Sequence, residues 1–183
     1  MGMPGIEFKL PHILGCDVAG EIASINTDVK DFKVGQRVVI LPGVSCGNCE
    51  ACTSGWDSAC DQYKIIGFLR PGGYAEYVSV PARNVIPISE KLKFEEWASI
   101  PLVFITAWHM LVKHGRRAKG EIVLIQGAGS GVGSAAIQIA KHFSATVITT
   151  ASDDRKLDLA KKLGADYVIN YQRSRTSDEV RRI

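Results

Sequence analysis

The sequence predicts a two-part α+β chain: a strand-and-turn region over residues 1–95, then a parallel α/β region over residues 96–183. Three observations carry this reading. Short β-branched runs between glycines and prolines fill the first region. Four of the five cysteines crowd between Cys46 and Cys60. From Phe94 onward, apolar strand runs alternate with helix-period segments in the order β-α-β-α-β. That order argues a parallel sheet with right-handed crossovers.

The elements follow in turn. Val34-Gly35-Gln36-Arg37-Val38-Val39-Ile40 reads as a turn leading into a strand. Gly72 to Val80 alternates after a glycine turn, as a half-buried strand does. Pro71, Pro81 and Pro87 punctuate this region. Glu95 and Glu96 place negative charge where a helix N-terminus favours it. Ile122-Val123-Leu124-Ile125 is a continuous apolar run, the pattern of a strand buried on both faces. A glycine loop and a helix through Ala135–Lys141 come next, then a strand over Thr146–Thr149. Leu157, Ala160 and Leu163 lie at helical spacing, and Gly164 is a natural stop. Tyr167-Val168-Ile169 is a third strand. Thr176-Ser177-Asp178-Glu179 is a capping-box pattern that opens a last helix. Ile183 falls about two turns into it, so the sequence reads as cut rather than finished.

With 183 residues and 46% hydrophobic content, the chain can build one good core or two small ones. A formal charge of +3 with mixed signs throughout offers no basic patch for nucleic acid. No apolar run approaches the ~20 residues of a membrane helix. Met1-Gly2-Met3-Pro4-Gly5 lacks the charged-then-apolar order of a signal peptide, and Ile6 breaks the myristoylation pattern. The expectation is a cytoplasmic protein with a small-molecule substrate and neither nucleic acid nor membrane as partner.

In a cytosolic chain, clustered cysteines point to metal more than to disulfides. Cys46, Cys49 and Cys52 are separated by two-residue gaps, and Cys60 follows after seven residues. Four sulfurs without histidine suit a closed, structural zinc site with no open position for substrate. An iron–sulfur cluster uses a similar run, but its fourth cysteine follows after three residues and precedes proline. Here the gap is longer and Asp61 comes next. Zinc is the favoured reading, ahead of iron–sulfur and of four unrelated thiols.

Gln126 runs into Gly127-Ala128-Gly129-Ser130-Gly131-Val132-Gly133 and then a helix. Glycines there permit a tight turn and close approach to a pyrophosphate, and the helix N-terminus supplies oriented N–H groups. The strict G-x-G-x-x-G spacing is not met, because its third glycine falls on Val132. An NAD-preferring domain usually carries an acidic residue about 20 residues on, at the end of the next strand. Ala151 stands at that place, followed by Ser152, with Arg155 and Lys156 close behind. That leans toward NADP(H) over NAD(H). Arg155 suits a solvated helix face equally well.

Leu10-Pro11-His12-Ile13-Leu14-Gly15-Cys16-Asp17-Val18-Ala19-Gly20-Glu21 resembles the active-site stretch of zinc alcohol dehydrogenases. The cysteine lobe, Gly73-Tyr74-Ala75-Glu76-Tyr77, Thr106-Ala107-Trp108 and the glycine loop resemble that family's further motifs, in its order. The chain thus resembles a medium-chain dehydrogenase/reductase across nearly its whole length. The resemblance implies an incomplete GroES-like β-barrel carrying a structural zinc lobe, followed by the first half of a Rossmann domain. It also implies one structural zinc per chain and a possible homo-oligomer. Thr106 would place the nicotinamide ring.

Departures from the family decide the chemistry. Cys16 replaces the zinc-ligating histidine, Asp17 the neighbouring glutamate, and Leu102 the third ligand. Cys16 and Asp17 are therefore a vestigial active-site position, and Cys16 packs as a small hydrophobe. The pattern is closer to quinone and enone reductases, which work without catalytic zinc. Lys156 and Tyr171 match the positions that meet the 2′-phosphate there, and Ser144 replaces a usual glycine. The leading expectation is hydride transfer between NADPH and a carbonyl, quinone or activated alkene. The alternatives are a zinc-dependent alcohol dehydrogenase using Cys16, and an inactive zinc- and nucleotide-binding fragment.

Overall fold

The computed structural model describes residues 10–115 and 120–183. Met1–Gly5 and Ile6, on which the expectations about a leader and acylation rest, lie outside the described residues.

The chain divides into two compact units, the first ending at Leu102 and the second spanning Val103–Ile183. In the first, strand β1 is Ala19–Glu21, β2 is Arg37–Ile40 and β3 is Gly43–Val44. A one-turn helix α1, Glu50–Thr53, and a 3-10 turn, Asp57–Ala59, build the cysteine loop. Strand β4 is Lys64–Ile65, and a second 3-10 turn, Ala82–Asn84, leads into β5, Val85–Pro87. Helix α2 is Phe94–Ala98. It packs on β1 and β2, which extends the first unit beyond the residue-95 boundary expected from pattern alone.

Strands β1, β2 and β5 form an antiparallel sheet, with Val39 paired to Ala19 on one side and Ile86 on the other. Its central position explains why Val38, Val39 and Ile40 are all buried. Val38, Ile40, Val44 and Ile66 form one small core, against which Val18, Ile22, Val78, Val80 and Val85 pack. Strands β3 and β4 pair separately at the base of the cysteine loop.

Residues 72–80 do not form the expected strand. The amides of Gly72, Gly73 and Tyr74 bond to the carbonyls of Ile13, Gly15 and Leu14. Beyond Tyr74 the segment has no ladder partner among the described residues, and alternation without a partner does not make a strand. Tyr74 and Tyr77 are 80% and 76% exposed.

Helix α3, Pro101–Trp108, leads into the second unit and runs on as a π-helical turn, His109–His114. Then come β6 (Ile122–Gln126), α4 (Gly131–His142), β7 (Thr146–Ala151), α5 (Asp154–Lys162), β8 (Tyr167–Asn170) and α6 (Thr176–Arg182). The three strands are parallel in the order β6-β7-β8, as the alternation predicts. Strand β7 is central, and Val147 through Ala151 are buried. Ala135, Ala136, Ile137, Ile139 and Ala140 of α4 close the core over it.

Two expectations need correction here. Strand β6 is not buried on both faces: Ile122 is 67% exposed and Leu124 41%. It is an edge strand, paired only with β7 among the described residues. The last helix forms, but without a capping box. Arg175 takes the N-cap position, Thr176 is already helical, and Glu179 turns forward to Arg182 at 3.0 Å.

Candidate functional site

The four cysteines of the loop converge. All four Sγ atoms lie within 4.8 Å of one another. Cys46 Sγ is 3.8 Å from Cys52 Sγ, which is 3.5 Å from Cys49 Sγ. A zinc ion with bonds of ~2.3 Å sets tetrahedral sulfurs about 3.8 Å apart, so the spacing fits one ion. In an iron–sulfur cluster the four thiolates are divided among two or more irons, which sets some of the sulfurs further apart than a single ion does.

The backbone aims N–H groups at these sulfurs. Cys46 donates to Cys60 Sγ at 3.4 Å, Gly47 to Cys52 Sγ at 3.3 Å and Cys49 to Cys46 Sγ at 3.4 Å. Gly47 at φ +81° and Gly55 at φ +80° make the reversals that let the loop close. Amides of Asn48 and Cys49 hold the Cys46 thiol down to about 6. The Cys52 amide favours ionised Cys49, yet the adjoining Cys52 and Cys46 thiols push it up to about 12. Burial opposes ionisation of Cys52, but the Gly47 amide and Cys49 outweigh it and lower that thiol. Sulfurs this close cannot all carry negative charge by themselves. A divalent cation among them removes that conflict.

Cys16 and Asp17 lie away from this group in sequence and chemistry. Burial, then the Asp17 charge, raises the Cys16 thiol. Cys16 is half-buried and belongs to neither hydrophobic cluster. Among the described residues, the loop cysteines are the one group of three or more side chains placed to share a metal. Asp17 is exposed and lines an open cleft of about 1040 Å³ with Ile22, Phe32, Val38 and Tyr77.

The glycine loop is built by its own hydrogen bonds. Gly127 turns at φ +76°. Ser130, the N-cap of α4, donates its hydroxyl to the Gly127 carbonyl and accepts from the Gly133 amide, both at 2.9 Å. A Cβ on Gly133 would stand 2.2 Å from the Gly127 carbonyl oxygen, so only glycine allows this closeness. The first amides of α4, at Gly131 and Val132, have no acceptor within the helix and point outward from its N-terminus. Beside them, Val103 Cγ1 lies 2.9 Å from where a Gly131 Cβ would be. Thr106, one turn along α3, shares that side of the helix.

Strand β7 ends at Ala151, buried, at the place where an NAD-preferring domain usually carries an acidic residue. Beyond it, the Lys156 side chain crosses Gly129: a Cβ there would meet Lys156 Cδ at 2.6 Å. Lys156 Nζ pairs with Asp153 at 2.9 Å and reaches Ser152 Oγ at 3.2 Å. The Lys156–Asp153 hydrogen bond raises Lys156 and lowers Asp153, and Tyr171 adds a weaker pull on Lys156. Lys156 thus lies against Gly129 and bonds Ser152, while Arg155 is exposed on α5.

Sequence reasoning assigned no role to Asp153 or Thr150. Asp153 caps α5 by accepting the Lys156 amide at 3.0 Å, and an aspartate before a helix-period run is a readable cap signal. Thr150 accepts Gly127 N–H on Oγ1 at 3.3 Å and Ala128 N–H on its carbonyl at 2.9 Å. No local pattern announces that link.

A four-sulfur lobe followed by a glycine-latched strand–helix turn defines a metal-stabilised, dinucleotide-type α/β protein. The chain belongs to the medium-chain dehydrogenase/reductase superfamily. Residues 2–90 match the alcohol dehydrogenase GroES-like domain, and residues 131–183 match the zinc-binding dehydrogenase family. An alcohol dehydrogenase of Geobacillus stearothermophilus is 40% identical over 167 residues, 90% of this chain and 49% of that protein. An NAD-dependent alcohol dehydrogenase of Sulfurisphaera tokodaii is 36% identical over 96% of this chain and 50% of its own length. A crystal structure of an NAD-dependent alcohol dehydrogenase superposes with a TM-score of 0.89 at 49% identity, over 95% of this chain and 51% of that one. The chain spans about half the length of the curated relatives it matches.

Proposed function

We propose that the chain carries the zinc-stapled lobe and the pyrophosphate-binding half of an NAD(P)H-dependent oxidoreductase. In that enzyme hydride passes between the nicotinamide and a small carbonyl, quinone or activated alkene. The observation that carries this reading is the Ser130 latch, which holds Gly127 against Gly133 at the N-terminus of α4. It leaves a bare backbone surface under outward-pointing amides, where diphosphate oxygens find donors and favourable potential. Bound dinucleotide supplies the hydride chemistry. The residues Gly127, Gly129, Ser130, Gly131, Val132 and Gly133 bind and orient it, and Thr106, one helical turn from Val103, helps place the nicotinamide ring.

Two finer points belong to the same reading. Lys156 over Gly129, with Ser152 and Tyr171 beside it, favours the 2′-phosphate of NADP(H). Leu102 at the third ligand position, a side chain with no donor atom, favours a reaction without catalytic zinc. Relatives named NAD-dependent support the opposite cofactor choice, and Asp153, already bonded to Lys156, is the residue that favours it.

Fluorescence titration of the chain with NADPH and NADH decides between them. NADPH is expected to bind more tightly, and Lys156→Ala to weaken NADPH about tenfold while sparing NADH. Equal affinities, untouched by Lys156→Ala, would establish the NAD reading. Binding of neither would leave a zinc-stapled fragment without nucleotide function. Elemental analysis of the same sample is expected to give one zinc per chain, whereas a second would revive a catalytic metal at Cys16.

A further inference from the structure

The segment entering the cysteine loop is held along one edge by two consecutive side chains. Asn84 Nδ2 donates to the carbonyls of Leu41 at 2.9 Å and Gly43 at 2.6 Å. The Leu41 amide returns a bond to the Asn84 carbonyl at 2.8 Å. Arg83 then continues the row, donating Nη2 to the Ser45 carbonyl and Nη1 to the Cys46 carbonyl at 3.5 Å. Carbonyls of Leu41, Gly43 and Ser45 alternate along extended backbone and so face the same side. Asn84 is 4% exposed, and both donors of its amide are used.

Gly47 fits this arrangement. A Cβ at that position would stand 2.6 Å from Arg83 Nη1. Glycine there, already required by its φ of +81°, leaves room for the guanidinium to lie against the loop. Four thiolates around a divalent ion leave net negative charge, which an adjacent guanidinium stabilises without giving up a sulfur.

We propose that Arg83 and Asn84 form a clamp that sets Cys46 for metal, with Arg83 a positioning residue for the zinc site. The clamp fixes the carbonyl edge up to the first ligand, so the loop closes on the ion with less ordering left to do. This rests on the zinc reading of the lobe.

Zinc affinity measured by competition with a chromophoric chelator tests it, together with the visible spectrum of the cobalt-loaded chain. Arg83→Ala is expected to weaken zinc about 10-fold to 100-fold and to alter the cobalt ligand-field bands. Arg83→Lys keeps the charge but not the two-pronged fork, and is expected to fall between. Melting of the zinc-free chains separates this role from general stabilisation, and Arg83→Ala is expected to match wild type there. A variant whose zinc affinity stays within about twofold of wild type, with an unchanged cobalt spectrum, overturns the clamp. Wild-type chain that holds no zinc overturns the metal reading of the lobe, and the clamp with it.

Discussion

In the first unit, buried packing centres on Val38, Ile40, Val44 and Ile66. In the second, a continuous layer runs from Ala107 through α4 and β7 to Ala165. The cysteine loop lies in the first unit and buries only Cys60 of its four ligands. Its order comes from directed bonds, with sulfurs facing amides and carbonyls facing Arg83 and Asn84. The glycine loop needs no such staple, because α4 and β7 hold it from beneath. Where apolar area is scarce, metal and hydrogen bonds fix the chain. Where it is plentiful, polar groups are free to serve a ligand.

Metal removal should separate the two regions most strongly. Structural zinc sites contribute on the order of 10 kcal/mol of apparent binding free energy near neutral pH. Chelation is expected to abolish amide-exchange protection over residues 46–60 and to leave residues 122–170 protected. Acid should act in the same direction, because protons compete with the ion for sulfur, so zinc is released as pH falls. Loss of protection in both regions together would break the comparison.

A smaller effect is expected from the packed side. Ile137 is fully buried in α4, and Ile137→Ala should cost about 2–5 kcal/mol. Denaturant unfolding of the zinc-loaded chain reads that loss, and cobalt bands in the loop should persist in the variant. If they vanish with the helix, the lobe depends on the second unit's core.

The smallest expected change sharpens the comparison. Ser144 adopts φ +59° between α4 and β7, a left-handed conformation that glycine takes more cheaply. Ser144→Gly should stabilise the second unit by about 0.5–1 kcal/mol after the flexibility of unfolded glycine is counted. Thermal melting checks it, with Ser144→Ala showing no gain.

Much of this division is readable in the residues. The spacing of Cys46, Cys49, Cys52 and Cys60 announces one ion because ligand geometry is local. The β-α-β-α-β order announces the parallel sheet because each element carries its own period. What stayed hidden depends on distant partners. Gly72–Val80 alternates like a strand, yet strand identity is a property of pairs. Ile122–Ile125 looks doubly buried, but its burial depends on what lies beside it in the sheet. The Lys156–Asp153 pair, Thr150 under Gly127 and Arg83 against Gly47 join residues that no short window relates.

Cys46 and Cys60 are only 14 residues apart, and the bond from the Cys46 amide to Cys60 Sγ spans that interval. Closing so short a loop costs little chain entropy. During synthesis the ribosome releases all four sulfurs together, well before Asn84 and long before β6. A nascent chain can thus begin to gather its metal as soon as the lobe leaves the exit tunnel, and the site tightens once Arg83 and Asn84 follow. Cellular zinc supply then acts on the timing of maturation as well as on the finished protein.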